Sequence, residues 1–161
     1  MIRAIVENDV AELNKINREE LGYDYPLDKS LVQLRKLLKD SGHHYLAVYE
    51  DDAKKKVLGY VHAEVYEEIY ADPALNVLAL AVLSNNHHAG VGAKLMSWLE
   101  NTAIDNGFKS IRLNSGMSRI NAHGFYEHIG YVHAKDQKNL SKISNLRRIF
   151  CLRKLNTAIN I

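Results

Sequence analysis

Short runs that alternate between apolar and polar residues are interleaved along this chain with longer runs of helical period, an order that predicts an α/β (α+β) domain. Met1 to Val6 reads as a strand, and a run capped by Asp9 and reaching about Leu21 reads as a helix. Gly22 and Pro26 separate it from a second helix, capped by Asp28 or Ser30 and running through Lys39. His44 to Glu50 and Val57 to Ile69 are predicted strands joined by the polar turn Asp51 to Lys56, and Leu75 to Leu83 follows as a more buried strand. The short turn makes this meander antiparallel. Val91 to Asn106 places Val91, Leu95, Trp98, Leu99, Thr102 and Ala103 at helical spacing, and Gly107 stops it. Lys109 to Asn114 is the next strand. A helix from about Arg119 to His128, ended by Gly130, leads into a strand at Tyr131 to Ala134. The strand, helix and strand around residues 86–95 imply a parallel pair joined by a right-handed crossover.

Composition narrows the class. At 161 residues, 47% hydrophobic and 25% charged, the chain is long enough for one domain with a substantial core. No run approaches the roughly 18 apolar residues of a membrane span. Met1 to Glu7 lacks the basic-then-apolar pattern of a secretory signal, so the expected compartment is the cytoplasm. Cys151 is the only cysteine, which excludes an internal disulfide and a cysteine zinc cage. His43-His44 and His87-His88 are adjacent pairs rather than spaced ligands, and no metal site is expected. The net charge of +2 is unevenly spread. After Asp136 there is no acidic residue, while Lys138, Lys142, Arg147, Arg148, Arg153 and Lys154 are basic. Such a tail suits contact with a cofactor phosphate, a nucleic-acid surface or a solvated edge, and no RNA- or DNA-binding motif accompanies it.

Asn86 to Leu95 read N-H-H-A-G-V-G-A-K-L, a glycine turn between the apolar run Val77 to Leu83 and the start of a helix. A helix start leaves backbone N–H groups unpaired, and Gly90 and Gly92 carry no Cβ to hold a phosphate away from them. The spacing does not fit a P-loop, because Lys94 follows Ala93 and precedes Leu95 rather than Ser or Thr. It does not fit the dinucleotide fingerprint GxGxxG either, because Leu95 stands where the third glycine belongs. His87, Gly90 and Gly92 resemble the acetyl-coenzyme A signature Q/R-x-x-G-x-G/A of the GCN5-related N-acetyltransferases (GNAT), particularly those acting on small amines. His87 replaces the usual Gln or Arg with a pH-dependent donor. Arg119, Asn121, Ala122, Phe125, Tyr126, Glu127, Gly130 and Tyr131 resemble the family's later motif R-x-N-A-x-x-F-Y-E-x-x-G-Y. With a weaker likeness at Leu21 to Tyr23 and Val57 to Val61, the resemblance covers about residues 1–135.

The resemblance implies a mixed, mostly antiparallel sheet of six to seven strands flanked by about four helices and splayed between its fourth and fifth strands. One domain would span residues 1–161, with 143–161 as a possible extension. The pantetheine arm of acetyl-coenzyme A would pair with Leu80, Ala81 and Val82. Its diphosphate would lie against His87, His88, Ala89, Gly90, Val91, Gly92 and Ala93. Tyr126 would stand near the sulfur as general acid, and Asn121 would either cap its helix or reach the cofactor.

For the base that deprotonates the acceptor amine, alternation puts His62, Glu64, Tyr66 and Glu68 on one face of a strand. Glu64 is the first candidate and His62 the second, directly or through water. No carboxylate occurs from Leu75 to Leu99, where many relatives place one, so a water relay is expected. The expected activity is transfer of acetyl from the thioester to a primary amine of a small molecule or peptide by direct attack. Glu19, Glu20 and Asp24 either attract a cationic amine or form a solvated helix end. The alternatives are an acyl-coenzyme A-binding regulatory module without turnover, and nucleic-acid or partner binding through the basic tail. The last strand is expected at Gln137 to Lys142 or at Arg148 to Leu155. The latter is apolar on both faces, and cover across a two-fold partner would make a homodimer.

Overall fold

The computed structural model describes residues 1–138 and Leu140; residue 139 and residues 141–161, with Cys151 and the expected strand Arg148 to Leu155, lie outside the described residues, as do the side chains of His87 and His88. Two compact units are present, Met1–Asn114 and a second from Ser115 onward.

The first unit runs β1 (Ile2–Ala4), α1 (Val10–Glu20), α2 (Leu27–Lys39), β2 (His44–Glu50), β3 (Val57–Glu68), β4 (Ala71–Val82), α3 (Val91–Asp105) and β5 (Ile111–Leu113), with 3-10 turns at Glu7–Asp9 and Ser84–Ala89. Its sheet has the order β1-β2-β3-β4-β5. Each pair is antiparallel except β4 with β5, which is parallel and joined by a crossover through α3. Five strands stand among the described residues where six to seven were expected. β4 begins at Ala71 rather than Leu75, because a tight turn at Ile69 and Tyr70 lets it pair with β3 at once. Pro73 is tolerated there because the register shifts between Tyr66 and Glu68.

Each face of the sheet carries helices. On one, Leu13 and Ile16 of α1 and Leu34 of α2 pack with Ile5, Val48, Val57, Tyr60, Ala81 and Leu83. On the other, Ala47, Val61, Ala63 and Val77 are buried, as are Val91, Leu95, Met96, Leu99 and Ala103 along α3. Each fully buried aliphatic side chain contributes about 1.5–3 kcal/mol.

The helix starts differ from the predicted caps. Asp9 does not cap α1. Its carboxylate instead accepts the Val6 N–H at 2.8 Å and two Arg3 guanidinium bonds at 2.8 Å each. Arg3 Nε also donates to Glu50 at 2.8 Å, so one guanidinium ties β1, the approach to α1 and the end of β2. Burial alone would raise the Asp9 pKa, yet Arg3 and the Val6 amide hold it below the usual carboxylate range. α2 starts at Leu27 after Pro26, without a side-chain cap, and the Ser30 hydroxyl instead accepts from Asn14 Nδ2 at 2.9 Å.

In the second unit, α4 (Ile120–His128) ends at Gly130, whose φ of 96° only glycine adopts without strain. Tyr131 to Ala134 is not a strand. A strand exists only against a neighbour, and no residue described after Leu113 is in a strand to pair with it.

Candidate active site

The β3–β4 ladder breaks register a second time, between His62 and Ala63. His62 pairs with Ala79 and Ala63 with Val77, leaving Leu78 without a partner as a bulge. Beside the bulge lies a cleft of about 410 Å³, walled by Gln33, Lys36 and Leu37 of α2, Asp40 just past its end, His44 of β2, His62 and Glu64 of β3, and Leu78. Both base candidates therefore line one cleft. Asn76 Nδ2 donates to Glu64 Oε1 at 3.1 Å and fixes the carboxylate. His62 Nε2 lies 3.2 Å from Nδ1 of His44, a residue that sequence reasoning passed over as half of an adjacent pair. The missed signal was alternation along β2, which sets His44, Leu46 and Val48 on one side.

Burial, and then the neighbouring His44, push the His62 imidazole down to about 4 against a smaller upward pull from Glu64. The fold keeps His62 neutral where the unfolded chain protonates it near its ordinary pKa of about 6.5. This contribution to stability is therefore whole above about pH 6.5 and is lost as pH falls toward about 4. We expect the native protein to lose about 2 kcal/mol from this source between about pH 7 and pH 4.5, measured by urea unfolding, and His62→Gln to flatten that slope. Equal slopes would contradict it. Asp9 acts in a separate window, since its depressed pKa withdraws stability only below about pH 4.

β4 passes from this cleft to the glycine bend. Its pairing with β5 covers Leu75 to Val77 only, and among the described residues no strand pairs with Leu78 to Val82 on the edge away from β3. The bond from Leu83 N–H to the Leu58 carbonyl, 2.9 Å, sets the phase of the ladder. Alternation then turns the peptide groups of Ala81 toward β3 and those of Leu80 and Val82 toward the other edge. Gly59 permits this closeness, since a Cβ there would stand 2.7 Å from the Ala81 carbonyl oxygen.

Beyond β4, Glu20 accepts from the Ser84 amide at 2.8 Å, at the first residue of the 3-10 turn Ser84–Ala89. Glu20 thus holds the loop and is not a bare attractor for cationic amines. Gly90 follows with φ 70°, and the position of its missing Cβ faces open space. α3 starts with no side-chain cap and no acidic residue in its first turn. Unpaired leading amides and the positive end of a helix dipole favour an anion at such a helix start.

In the second unit, Tyr126 packs edge-on against Phe125 at 5.2 Å and Tyr131 at 5.8 Å between ring centroids. Burial raises its phenol pKa, with Arg119 pulling the other way. Asn121 is exposed, and α4 has no side-chain cap, so the capping role expected of Asn121 is not found.

The profile of the acetyltransferase (GNAT) family matches residues 9–131. The chain belongs to the GNAT family. No curated protein sequence matches it. An aminoglycoside 6'-N-acetyltransferase from Acinetobacter haemolyticus has a similar structure, with 13% identity, TM-score 0.76, and coverage of 90% of this chain and 99% of that one. A glucosamine-6-phosphate N-acetyltransferase from Arabidopsis thaliana is also similar, at 17% identity, TM-score 0.72 and coverage of 90% and 98%. So is a transcriptional regulator from Bacillus halodurans, at 19% identity, TM-score 0.77 and coverage of 88% and 99%. At these identities the likeness shows a shared GNAT fold. Among the described residues no helix is long and apolar enough to cross a membrane, and no cluster of metal-ligating side chains occurs.

Proposed function

We propose that this GNAT protein is an acetyl-coenzyme A-dependent N-acetyltransferase acting on a primary amine, and that residues 1–161 form one catalytic domain. One arrangement carries the reading: within the first unit, β4 joins an open strand edge and a bare glycine bend to a cleft holding a carboxylate and an imidazole. The family profile spans both compact units, which supports treating them as one domain. The similar aminoglycoside acetyltransferase AAC(6')-Iy was solved with coenzyme A, at 13% identity, TM-score 0.77 and coverage of 88% of this chain and 93% of that one.

The residues present fit such a ligand. The outward peptide groups of Leu80 and Val82, flanking Ala81, would pair with the pantetheine arm. The bend from His87, His88 and Ala89 through Gly90, Val91, Gly92 and Ala93 would receive the diphosphate on its amides. Asn121 is assigned to cofactor contact. Bound acetyl-coenzyme A supplies an acetyl group activated as a thioester.

The chain's own groups then manage protons. Glu64 accepts the proton that the amine must lose before it can attack, directly or through a water molecule, with His62 as the second candidate. Backbone amides along the β4 edge stabilise charge gathering on the carbonyl oxygen. Tyr126 donates its phenolic hydrogen toward the departing sulfur. The acceptor is a small amine or a peptide amine, and the cytoplasm is the proposed compartment. The homodimer proposed from the apolar segment Arg148 to Leu155 rests on residues outside those described.

A panel of small amines and peptides offered with acetyl-coenzyme A, read as free thiol release, tests activity and acceptor together. Thiol release dependent on one acceptor class is expected. Saturable coenzyme A binding with no acetylated product would instead favour a binding module.

A further inference from the structure

The cleft contains a contact that acetyl transfer through Glu64 does not use. His62 Nε2 and His44 Nδ1 are 3.2 Å apart, with ring centroids separated by 5.3 Å and planes inclined at 54°. In the β2–β3 ladder His44 stands opposite Glu64 and Leu46 opposite His62, so the two imidazoles meet on the diagonal of one face. When both rings are neutral, only one of the facing nitrogens carries the hydrogen. Neither ring has another hydrogen bond among the described residues, which leaves His62 Nδ1 and His44 Nε2 available to substrate or water.

From this geometry we infer that His44 is a positioning residue for His62, and that the pair relays the acceptor's proton from the cleft to solvent. The inference rests on the acetyltransferase reading above and deepens it. An acceptor ammonium beside His62 gives its proton to Nδ1. The hydrogen on His62 Nε2 passes to His44 Nδ1, and the hydrogen on His44 Nε2 passes to water. Both rings stay neutral, one proton leaves for each amine deprotonated, and exchange with water restores the starting tautomers after the product departs. Glu64 holds the cationic amine in place and accepts its proton when the pair does not.

A relay answers a specific difficulty. Burial and His44 hold His62 at about 4, so a proton stored on it as a charge is costly, while a proton passed through it is not. The charged and titratable groups around the pair are Glu64 on β3, Lys36 on α2, Asp40 just past its end, and His43, whose ring lies 4.9 Å edge-on from His44. Glu64 favours cation formation at His62, and burial and His44 oppose it.

His44→Asn keeps a polar atom near the position of Nδ1 but has no second ring nitrogen to pass the proton on. We expect kcat to fall about tenfold with the KM for acetyl-coenzyme A unchanged, the solvent isotope effect to change from a three-proton to a one-proton dependence on deuterium fraction, and added imidazole to restore part of the rate of His44→Ala. Independently of turnover, nitrogen-15 NMR of the native protein should show one hydrogen shared by the two rings. It should also show His62 titrating higher once His44 is replaced. Native kcat and an unchanged isotope effect in His44→Asn would overturn the relay and leave the acetyltransferase reading standing. Independent rings with no shared hydrogen would overturn it even if the variant failed to fold. No thiol release by the native protein with any amine would overturn both.

Discussion

Replacing Tyr126 with Phe is expected to lower turnover about a hundredfold while leaving the affinity for acetyl-coenzyme A within a factor of about two. The size follows from acidity. A thiol has an ordinary pKa near 8.5 and a phenol near 10, and burial raises Tyr126 further. Complete transfer from Tyr126 to the leaving sulfur is thus uphill by at least about 2 kcal/mol. The phenol acts by donating a hydrogen bond as charge develops on sulfur, which belongs at the lower end of the range for acid–base groups. Because its pKa is raised, Tyr126 stays protonated throughout the neutral range, and the pH–rate profile should show no loss from its ionisation below about pH 10. Stopped-flow or steady-state thiol release measures the effect. Native turnover in Tyr126→Phe would remove the role.

Arg3→Ala is expected to cost about 3–5 kcal/mol in urea unfolding, a large share of a stability of about 5–15 kcal/mol. The Asp9 side chain is 6% exposed and that of Glu50 10%, and Arg3 lies 2.8 and 2.7 Å from their carboxylates. Removing the guanidinium leaves two nearly buried negative charges, one answered only by the Val6 amide and the other by Lys55 at 3.7 Å. The cost has a pH signature. Without Arg3 the Asp9 carboxyl protonates more readily in the folded state, so the gap between native and variant should narrow as pH falls below about 5. A loss under about 1 kcal/mol at neutral pH would show that the network contributes little more than a surface pair.

Much of the fold is legible in the sequence wherever one face of an element is buried. β2 occupies His44 to Glu50 as its alternation predicts, and α3 begins at Val91 with Gly107 just past its end, at φ 79°. What the sequence hid depends on partners distant along the chain. The polar, proline-containing start of β4 reads as a turn until β3 supplies its ladder, and Tyr131 to Ala134 reads as a strand although no described neighbour pairs with it. The site divides in the same way. Glu64 and His62 follow from alternation within one strand, whereas the contact of His62 with His44 depends on the register between two strands. Glu20 looks like a solvated helix end or a substrate attractor until the Ser84 amide, 64 residues away, claims its carboxylate.

The glycine bend is tested most directly by titration calorimetry of coenzyme A and acetyl-coenzyme A against the native protein and Gly90→Val. A valine at φ 70° adds about 1–2 kcal/mol of backbone strain and places methyl groups in the open space before α3. The account predicts saturable one-to-one binding by the native protein and at least tenfold weaker binding by a Gly90→Val variant of unchanged helix content. No heat with either ligand, or equal affinity in the variant, would contradict it.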